Sequence, residues 1–486
     1  MSSRSVVIIG SGLGGLECGY ILARNGFDVT VLEQGARIGG CLQTFNRAGR
    51  SFDTGFHYIG GLGDGESLQW IFDYFNLMGL PWVQMDRDCV DEVRIGGLPY
   101  PIPSGYDNFK SILSGLFPSQ KDNLTRYISQ LKAVGDSIRS GFATGSSMEL
   151  FRQSAYGFLC DTISDPLLRK VLSGAALRLH HDAATLPLYV FAQINNSFIQ
   201  SGWRINGGGD MIAEHLAGGI RSFGGRVLTG VRITSLEESE GKVTCAVADN
   251  GEKFFAEHFI SNAHPAATLR LLEGSKSIRN IYRRRISSLR NSFGAFTVNV
   301  CLKMDRIKYV NHNINVHSGD EDVWNDDYRE PKSFLLNFYV PERGEYADRL
   351  DIITPMACDA LAGLEGGAPM HRTEGYNSFK DALAQKCIDA AETALPGLRD
   401  AVERVFTSTS LTYRDYTSTE GGSAFGVMKD FNNTVTTVLS PRTPLENLLL
   451  TGQNLNLHGI LGVSMTSLYT CAELLGVETI KKEFKI

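Results

Sequence analysis

Between residues 5 and 34 the chain reads SVVIIGSGLGGLECGYILARNGFDVTVLEQ, and this stretch narrows the possible folds more than any other. An apolar run of buried-strand type, Val6 to Ile9, gives way to Gly10, Gly12 and Gly15. A helix comes next with Leu16, Ile21 and Leu22 on its apolar side, then a second strand, Val29 to Leu32, that ends at Glu33. The glycines serve separate physical ends. Gly10 permits the tight turn, Gly12 lets a pyrophosphate approach the backbone, and Gly15 lets helix and strand pack closely. Leu13 and Gly14 lie between them at the helix N-terminus, where backbone N–H groups face a bound phosphate. Glu33, with Gln34 behind it, stands about 20 residues on, where an acid accepts from ribose hydroxyls. Strand, helix and terminal acid together predict a dinucleotide site rather than a turn shaped by glycines alone.

The adjoining residues select the dinucleotide. GARIGGCLQTFNRAGRSFDTGFHYIGG places Arg37 just beyond the acid, Gly39, Gly40 and Cys41 after it, then a short hairpin, then a loop holding His57 and Tyr58. An arginine followed by two glycines can bring a guanidinium fork to a phosphate while the backbone passes beside it; the plainer alternative is a surface arginine. This stretch resembles the extended FAD-binding pattern of the large flavoprotein family that contains amine oxidases and carotenoid desaturases. Farther on, WRINGGGDMIAEHLAGGIRSFGGRVLTGVRITSLEES predicts a helix from about Met211 to Phe223 and strands at Arg226–Leu228 and Val231–Leu236. The next run, which turns at Asn250 and Gly251, predicts a hairpin that returns to the nucleotide domain near Asn262. The resemblance implies that Val231 meets the adenine through its main chain; read alone, Val231 is a core residue.

Near the end, NLLLTGQNLNLHGILGVSMTSLYTCAELLG predicts a strand at Leu448–Thr451, a turn at Gly452 and Gln453, and a helix from about Ser464 to Leu475. Gly459, Ile460, Leu461, Gly462 and Val463 lead into that helix. Glycines at a helix N-terminus accept phosphate and the oxygen edge of an isoalloxazine ring. The last element is therefore expected to close the site that the first one opens.

Composition bounds the rest. At 486 residues with 43% hydrophobic content, the chain suits two connected domains of a packed globular protein. A net charge of −6 without long charged blocks leaves no nucleic-acid footprint. Nine cysteines without paired short spacings read as free thiols in a reducing compartment, and no metal site is expected: His180 and His181 are adjacent, so their side chains diverge. The start enters a strand at once, and no run of about 18 apolar residues occurs, so a cytoplasmic protein is expected.

FDTGFHYIGG, the stretch from Tyr376 to Gly426 and the closing segment together resemble the retinol saturase branch of the phytoene desaturase and carotenoid isomerase superfamily, with residues 120–200 and 300–370 matching only in outline. The resemblance implies an α/β fold: a Rossmann-like FAD domain of the amine oxidase type, interleaved with a mixed-sheet and helical substrate domain. The expected boundaries are 1–85, 200–270 and 405–486 for the first and 86–199 and 271–404 for the second. It further implies non-covalent FAD, hydride transfer at carbon-carbon bonds of an apolar isoprenoid, and saturation of a retinoid-like double bond as the leading activity. Three alternatives stay open: desaturation or isomerisation of a polyene, non-enzymatic escort of an isoprenoid, and amine oxidation. No second glycine fingerprint marks a nicotinamide site, so NAD(P)H as electron donor would visit only transiently or be replaced by another reductant. No dedicated protein partner is expected.

Candidate reacting groups are His57 after the hairpin, His458 before Gly459, and Tyr413, Tyr416 and Glu420 ahead of GGSAFG, a loop that the resemblance brings near flavin and substrate. Each has a structural alternative: a histidine held in a turn, a packed tyrosine, a solvated carboxylate. SFGAFTVNVCLKM and KSFLLNFYV alternate like strands of a second sheet, and KDNLTRYISQLKAVGDSIRSGF has helical spacing; together they predict an apolar tunnel or simply a second core. The basic stretch SKSIRNIYRRRISSLRN is either a peripheral membrane contact or a solvated helix face. HNINVHSGDEDVWNDDYREP is expected to be a surface excursion.

Overall fold

The computed structural model describes residues 4–144, 148–318, 323–369 and 371–486, apart from the side chains of 139–144. The opening stretch forms β1 (Ser5–Ile9), α1 (Leu13–Arg24) and β2 (Asp28–Glu33). These strands belong to a five-stranded parallel sheet in the spatial order 226–229, β2, β1, 258–261, 448–450. A parallel sheet is covered on both faces, which is why its strands are apolar at successive positions rather than alternate ones. On one face Val6, Ile8, Val29 and Val31 pack with Leu16 and Ile21 of α1, Leu216 and Ile220 of the helix Asp210–Ser222, and Leu468 of the closing helix Gly459–Leu475. On the other, Val7, Ile9 and Leu32 meet Leu236, Val243 and Phe254 of a three-stranded antiparallel sheet, 233–239, 242–248 and 253–255. Ile8, Leu16 and Ile21 are fully buried; each such side chain contributes about 1.5–3 kcal/mol. The first and last segments thus lie side by side, with the carboxyl ends of their strands opening on one crevice.

A second sheet has seven strands in the order 402–408, 294–302, 349–356, 333–338, 313–317, 91–95, 98–102, antiparallel except where 313–317 meets 91–95. Its alternation separates two chemistries. Phe296, Val298, Val300, Ile314, Val316, Phe334, Leu336, Leu350 and Ile352 form an apolar core with the helix Glu374–Ala394. The opposite face carries Ala295, Leu335 and Ile353 together with buried Thr297, Asn299, Asn313, Asn315, Asn337 and Asp351. Helices Tyr106–Leu116, Lys121–Thr144 and Leu188–Gln200 form a third packed cluster beside it.

Four expectations change. The closing helix begins at Gly459, five residues before Ser464, with His458 in extended conformation at its N-cap. The boundary at 405 falls inside the strand Val402–Ser408, which pairs with Gly294–Leu302 of the second sheet. The polar excursion contains the strand Asn313–His317, whose Ile314 and Val316 enter the core while Asn313 and Asn315 face inward; residues 319–322 of that stretch lie outside the described residues. In the basic stretch only Asn280–Ser287 is helical; Ile278 and Ile286 are buried in the core under the three-stranded sheet, whereas Ile281 is 76% exposed. All nine cysteines are free. Among the described residues no helix is long and apolar enough to cross a membrane.

Candidate active site

A cavity of about 790 Å³ runs from the crevice of the parallel sheet to the inner face of the seven-stranded sheet. Its first half is built from backbone. A Cβ placed on Gly12 would lie 2.8 Å from Asn262 Nδ2, and one on Gly14 would lie 2.8 Å from Asn262 Oδ1 and 3.1 Å from the Gly452 Cα. The N-terminal turn of α1, Asn262 and the Gly452 turn therefore approach one another as only glycines allow. Gly15 serves packing alone, since its Cβ would sit 2.0 Å from the Gly10 carbonyl oxygen. Gly462 is similar, at 2.4 Å from the Leu457 carbonyl, and neither lines the cavity. Gly10, Leu13, Gly39, Gly40, Cys41, Val231, Gln453, Gly459, Ile460 and Val463 do line it.

The acid at the end of β2 is held in place. Glu33 Oε2 accepts from the Ser11 N–H at 3.0 Å and the Ser11 hydroxyl at 2.6 Å, and Oε1 accepts from the Gly35 N–H at 2.8 Å. The Val231 N–H donates to the Glu33 carbonyl at 2.9 Å, which fixes the neighbouring chain against the acid. Gln34 reaches Ser418 Oγ from across the cavity. Arg37 is the exception. Its Nη1 donates to the Thr44 carbonyl at 2.7 Å, Nη2 lies 4.0 Å from Asp210, and its side chain is 55% exposed outside the cavity wall. The turn at Gly39 and Gly40 brings backbone to the cavity and leaves the guanidinium on the outer face.

The candidate reacting groups all line this cavity, in different states. His57 is pushed down to about 4 by burial and by the nearby Arg204, so its ring is neutral. Its Nδ1 is buried without a hydrogen-bond partner among the described residues, 3.7 Å from Asp351 Oδ2. Tyr58 accepts at 2.9 Å from Arg178 Nε, and Arg178 is ion-paired with buried Asp91. His458 donates from Nε2 to the Arg178 carbonyl at 3.0 Å and stacks on Phe425 at 4.2 Å between centroids; burial pushes it down to about 4. Tyr413 donates to the Thr54 carbonyl at 2.9 Å, and burial raises its pKa well above the usual phenol range. Tyr416 is 57% exposed at the mouth. Glu420 is held by a two-pronged pair with Arg270, 2.6 and 3.2 Å, which lowers its pKa and makes it a latch rather than a free acid.

Several groups are not evident from residue order. Arg204 is buried and donates to Asn337, the Phe338 carbonyl and Asn313 at 2.6–2.8 Å. Asp351 and Asp53 are buried carboxyls, pushed up to about 7 and about 8, chiefly by desolvation. Lys429 is buried with its Nζ on the Asn454 carbonyl at 2.7 Å and the Thr437 carbonyl at 3.1 Å, and burial pushes it down to about 7. The signal the sequence does hold is the polar residue at alternate places: Asn313 and Asn315 in NINVH, Thr297 and Asn299 in TVNV, and Arg349 and Asp351 in the strand around LDII.

The cradle of Gly12, Gly14 and Gly452, which side chains would fill, the tethered Glu33 and two helix N-termini turned to one cavity fit a flavin adenine dinucleotide. Fold and site define an FAD-dependent oxidoreductase. Residues 13–474 match the family model for flavin containing amine oxidoreductases, and the chain belongs to that family. It is 26% identical over 523 residues to the human (Homo sapiens) all-trans-retinol 13,14-reductase, covering 97% of this chain and 85% of that protein. It is 27% identical over 279 residues to prolycopene isomerase 2 of an Oncidium hybrid cultivar, covering 53% and 48%. An oxidoreductase from Methanosarcina mazei superposes with a TM-score of 0.64 at 17% identity, covering 96% of this chain and 99% of that one. The FAD cofactor, the α/β fold with its second domain and the superfamily expected from the sequence are all supported by these matches.

Proposed function

We propose that this protein saturates a carbon-carbon double bond of a retinoid-like isoprenoid. The observation that carries the reading is the continuity of one cavity from the backbone cradle to an apolar far wall of Leu177, Ile194, Phe198, Phe293, Ala295, Leu335 and Ile353. Bound FAD supplies a hydride when reduced. The chain's own residues do the rest. Gly12, Gly14, Glu33, Asn262 and Gly452 hold and orient the cofactor, while Ile353, Leu335 and Phe198 accept a polyene and exclude water from it. Tyr58 and Tyr413 pack against Ala295, Leu335 and Ile353 of that wall, and His57 lines the same cavity.

The retinol reductases matched over nearly the whole chain favour reduction over isomerisation, since the isomerase match covers only about half. NAD(P)H as a transient electron donor belongs to this proposal, as does a reducing, cytoplasmic setting for the nine free thiols. The exposed Ile281 beside Arg279, Arg284 and Arg285 supports a peripheral membrane contact for loading an apolar substrate. The test is product mass: chemically reduced holoenzyme incubated without oxygen with all-trans-retinol should yield a product two hydrogens heavier. Recovery of retinol unchanged in mass, or only as a geometric isomer, would refute saturation.

A further inference from the structure

The inner face of the seven-stranded sheet carries a carboxyl group that no apolar cavity wall requires. Asp351 is fully buried; Oδ1 accepts from Asn299 Nδ2 at 2.7 Å and Oδ2 from the Tyr339 hydroxyl at 2.5 Å. Tyr339 in turn accepts from the backbone N–H of Asp53 at 2.9 Å, so that the hydroxyl is aligned from behind. Toward the cavity, Asp351 Oδ2 meets His57 Nδ1 at 3.7 Å. That gap is too long for a hydrogen bond, yet Nδ1 is buried and has no other partner among the described residues, and catalytic contacts in ligand-free sites commonly tighten on binding. With Nδ1 turned to Asp351, Nε2 is the nitrogen left for the cavity that His57 lines.

We propose that Asp351 is the proton reservoir of this site and His57 the shuttle that carries its proton to the substrate carbon. The inference rests on the saturase reading and deepens it. Saturation of a double bond needs a hydride at one carbon and a proton at its neighbour. One carbon receives the hydride from the reduced flavin and forms the first new C–H bond. The π pair takes the proton from His57 Nε2 to form the second, and the Asp351 carboxyl passes its own proton to Nδ1. The flavin ends oxidised, the substrate reduced, His57 neutral in its other tautomer and Asp351 ionised. A neutral ring can relay in this way without ever becoming a cation, which Arg204 on one side and the desolvating wall oppose. Burial holds the Asp351 proton near neutrality against the groups around it, which favour the ionised form. Asp351 itself opposes ionisation of Asp53 on the hairpin side, Arg349 favours ionisation of Asp351 from the same strand, Tyr339 and Asn299 hydrogen-bond it, and Tyr413 lines the same cavity as His57.

The pair makes a prediction readable without turnover. In FAD-loaded, oxidised protein labelled with 15N-histidine, His57 should carry its proton on Nε2 while Asp351 is protonated and on Nδ1 once Asp351 ionises, an exchange centred near 7 without charging of the ring. Asp351→Asn should abolish the exchange and lower the single-turnover rate of flavin reoxidation by a polyene at least about 100-fold, removing its fall above neutrality. Tyr339→Phe, which deletes a hydrogen bond to the carboxylate, should move the exchange to higher pH; it keeps the test alive if Asp351→Asn fails to fold. One His57 tautomer throughout about pH 5 to 9 in the wild-type protein, or an unchanged pH profile in Asp351→Asn, would overturn the proposal. If no polyene reoxidises the flavin the saturase reading fails, while the tautomer measurement still decides whether the proton pair exists.

Discussion

Glu17 lies in α1, yet its carboxyl belongs to the contact between the first helix and the last. Oε1 accepts from Ser464 Oγ at 2.6 Å and Oε2 from Ser467 Oγ at 2.9 Å, both on the closing helix. No cation pairs with it among the described residues, and burial pushes it from 4.5 up to about 8, the two serine hydrogen bonds only partly opposing this. The favourable contribution of the protonated acid is fully present below about 4.5, where folded and unfolded chains both hold the proton. It is lost as pH rises through about 8, because over that interval the unfolded chain releases a proton that the folded one keeps. At about 1.4 kcal/mol per pH unit the interval amounts to about 5 kcal/mol. A protein of this kind has only about 5–15 kcal/mol in total, so the first and last helices should loosen at alkaline pH. Glu17→Gln keeps the shape and stays neutral throughout. In urea unfolding of the holoprotein followed by circular dichroism, variant and wild type should agree within about 1 kcal/mol near pH 5. The variant should become more stable by several kcal/mol near pH 9, with the difference growing between. A difference that stays constant across that range would refute the buried, proton-holding carboxyl.

Gly12→Ala keeps an allowed extended backbone and meets only the far end of Asn262, so stability should hold within about 1 kcal/mol while FAD affinity falls about 10- to 100-fold by equilibrium dialysis. Gly15→Ala drives a methyl into the Gly10 carbonyl and should instead cost at least about 3 kcal/mol of stability in thermal melts. Arg37→Ala should change the FAD dissociation constant by less than about threefold, because its side chain is exposed and turned to Thr44. Glu420→Gln should leave the single-turnover rate within about fivefold of wild type; a loss of about 100-fold would make it an acid-base group after all.

The FAD half is legible in the sequence because its determinants are local and of fixed spacing. Gly10 to Glu33 encode strand, turn, helix and acid within a short span, and the closing segment repeats the logic at the other end. The start of the closing helix is less legible because Gly459 and Gly462 read as loop, whereas Gly459 takes a positive φ of 74° at the first position and the missing side chain of Gly462 lets the helix pack on Leu457. The position of Arg37 is hidden because the direction of a side chain beside two glycines is a matter of the turn, and residue order does not carry it. The polar inner face is harder still. Asp351, Arg204 and Tyr58 come from distant segments and find their partners, Asn299 and Tyr339, Asn337 and Asn313, and Arg178, only across elements, and NINVH looks like a loop because its asparagines are polar, although they point inward to Asp91 at 3.1 Å. Partnership across a sheet turns a solvent-loving residue into a buried one, and single-strand reading does not show the partner.

The central claim, reduction of an apolar polyene by this flavoprotein, is tested most directly by anaerobic stopped-flow absorbance. FAD-loaded protein is first reduced chemically and then mixed separately with all-trans-retinol, a shorter polyene and a carotenoid. Rapid return of the oxidised flavin spectrum with a retinoid, matched by the loss of one substrate double bond, is the predicted result. Flavin that stays reduced with all three, while the oxidised protein still binds a polyene, would contradict it.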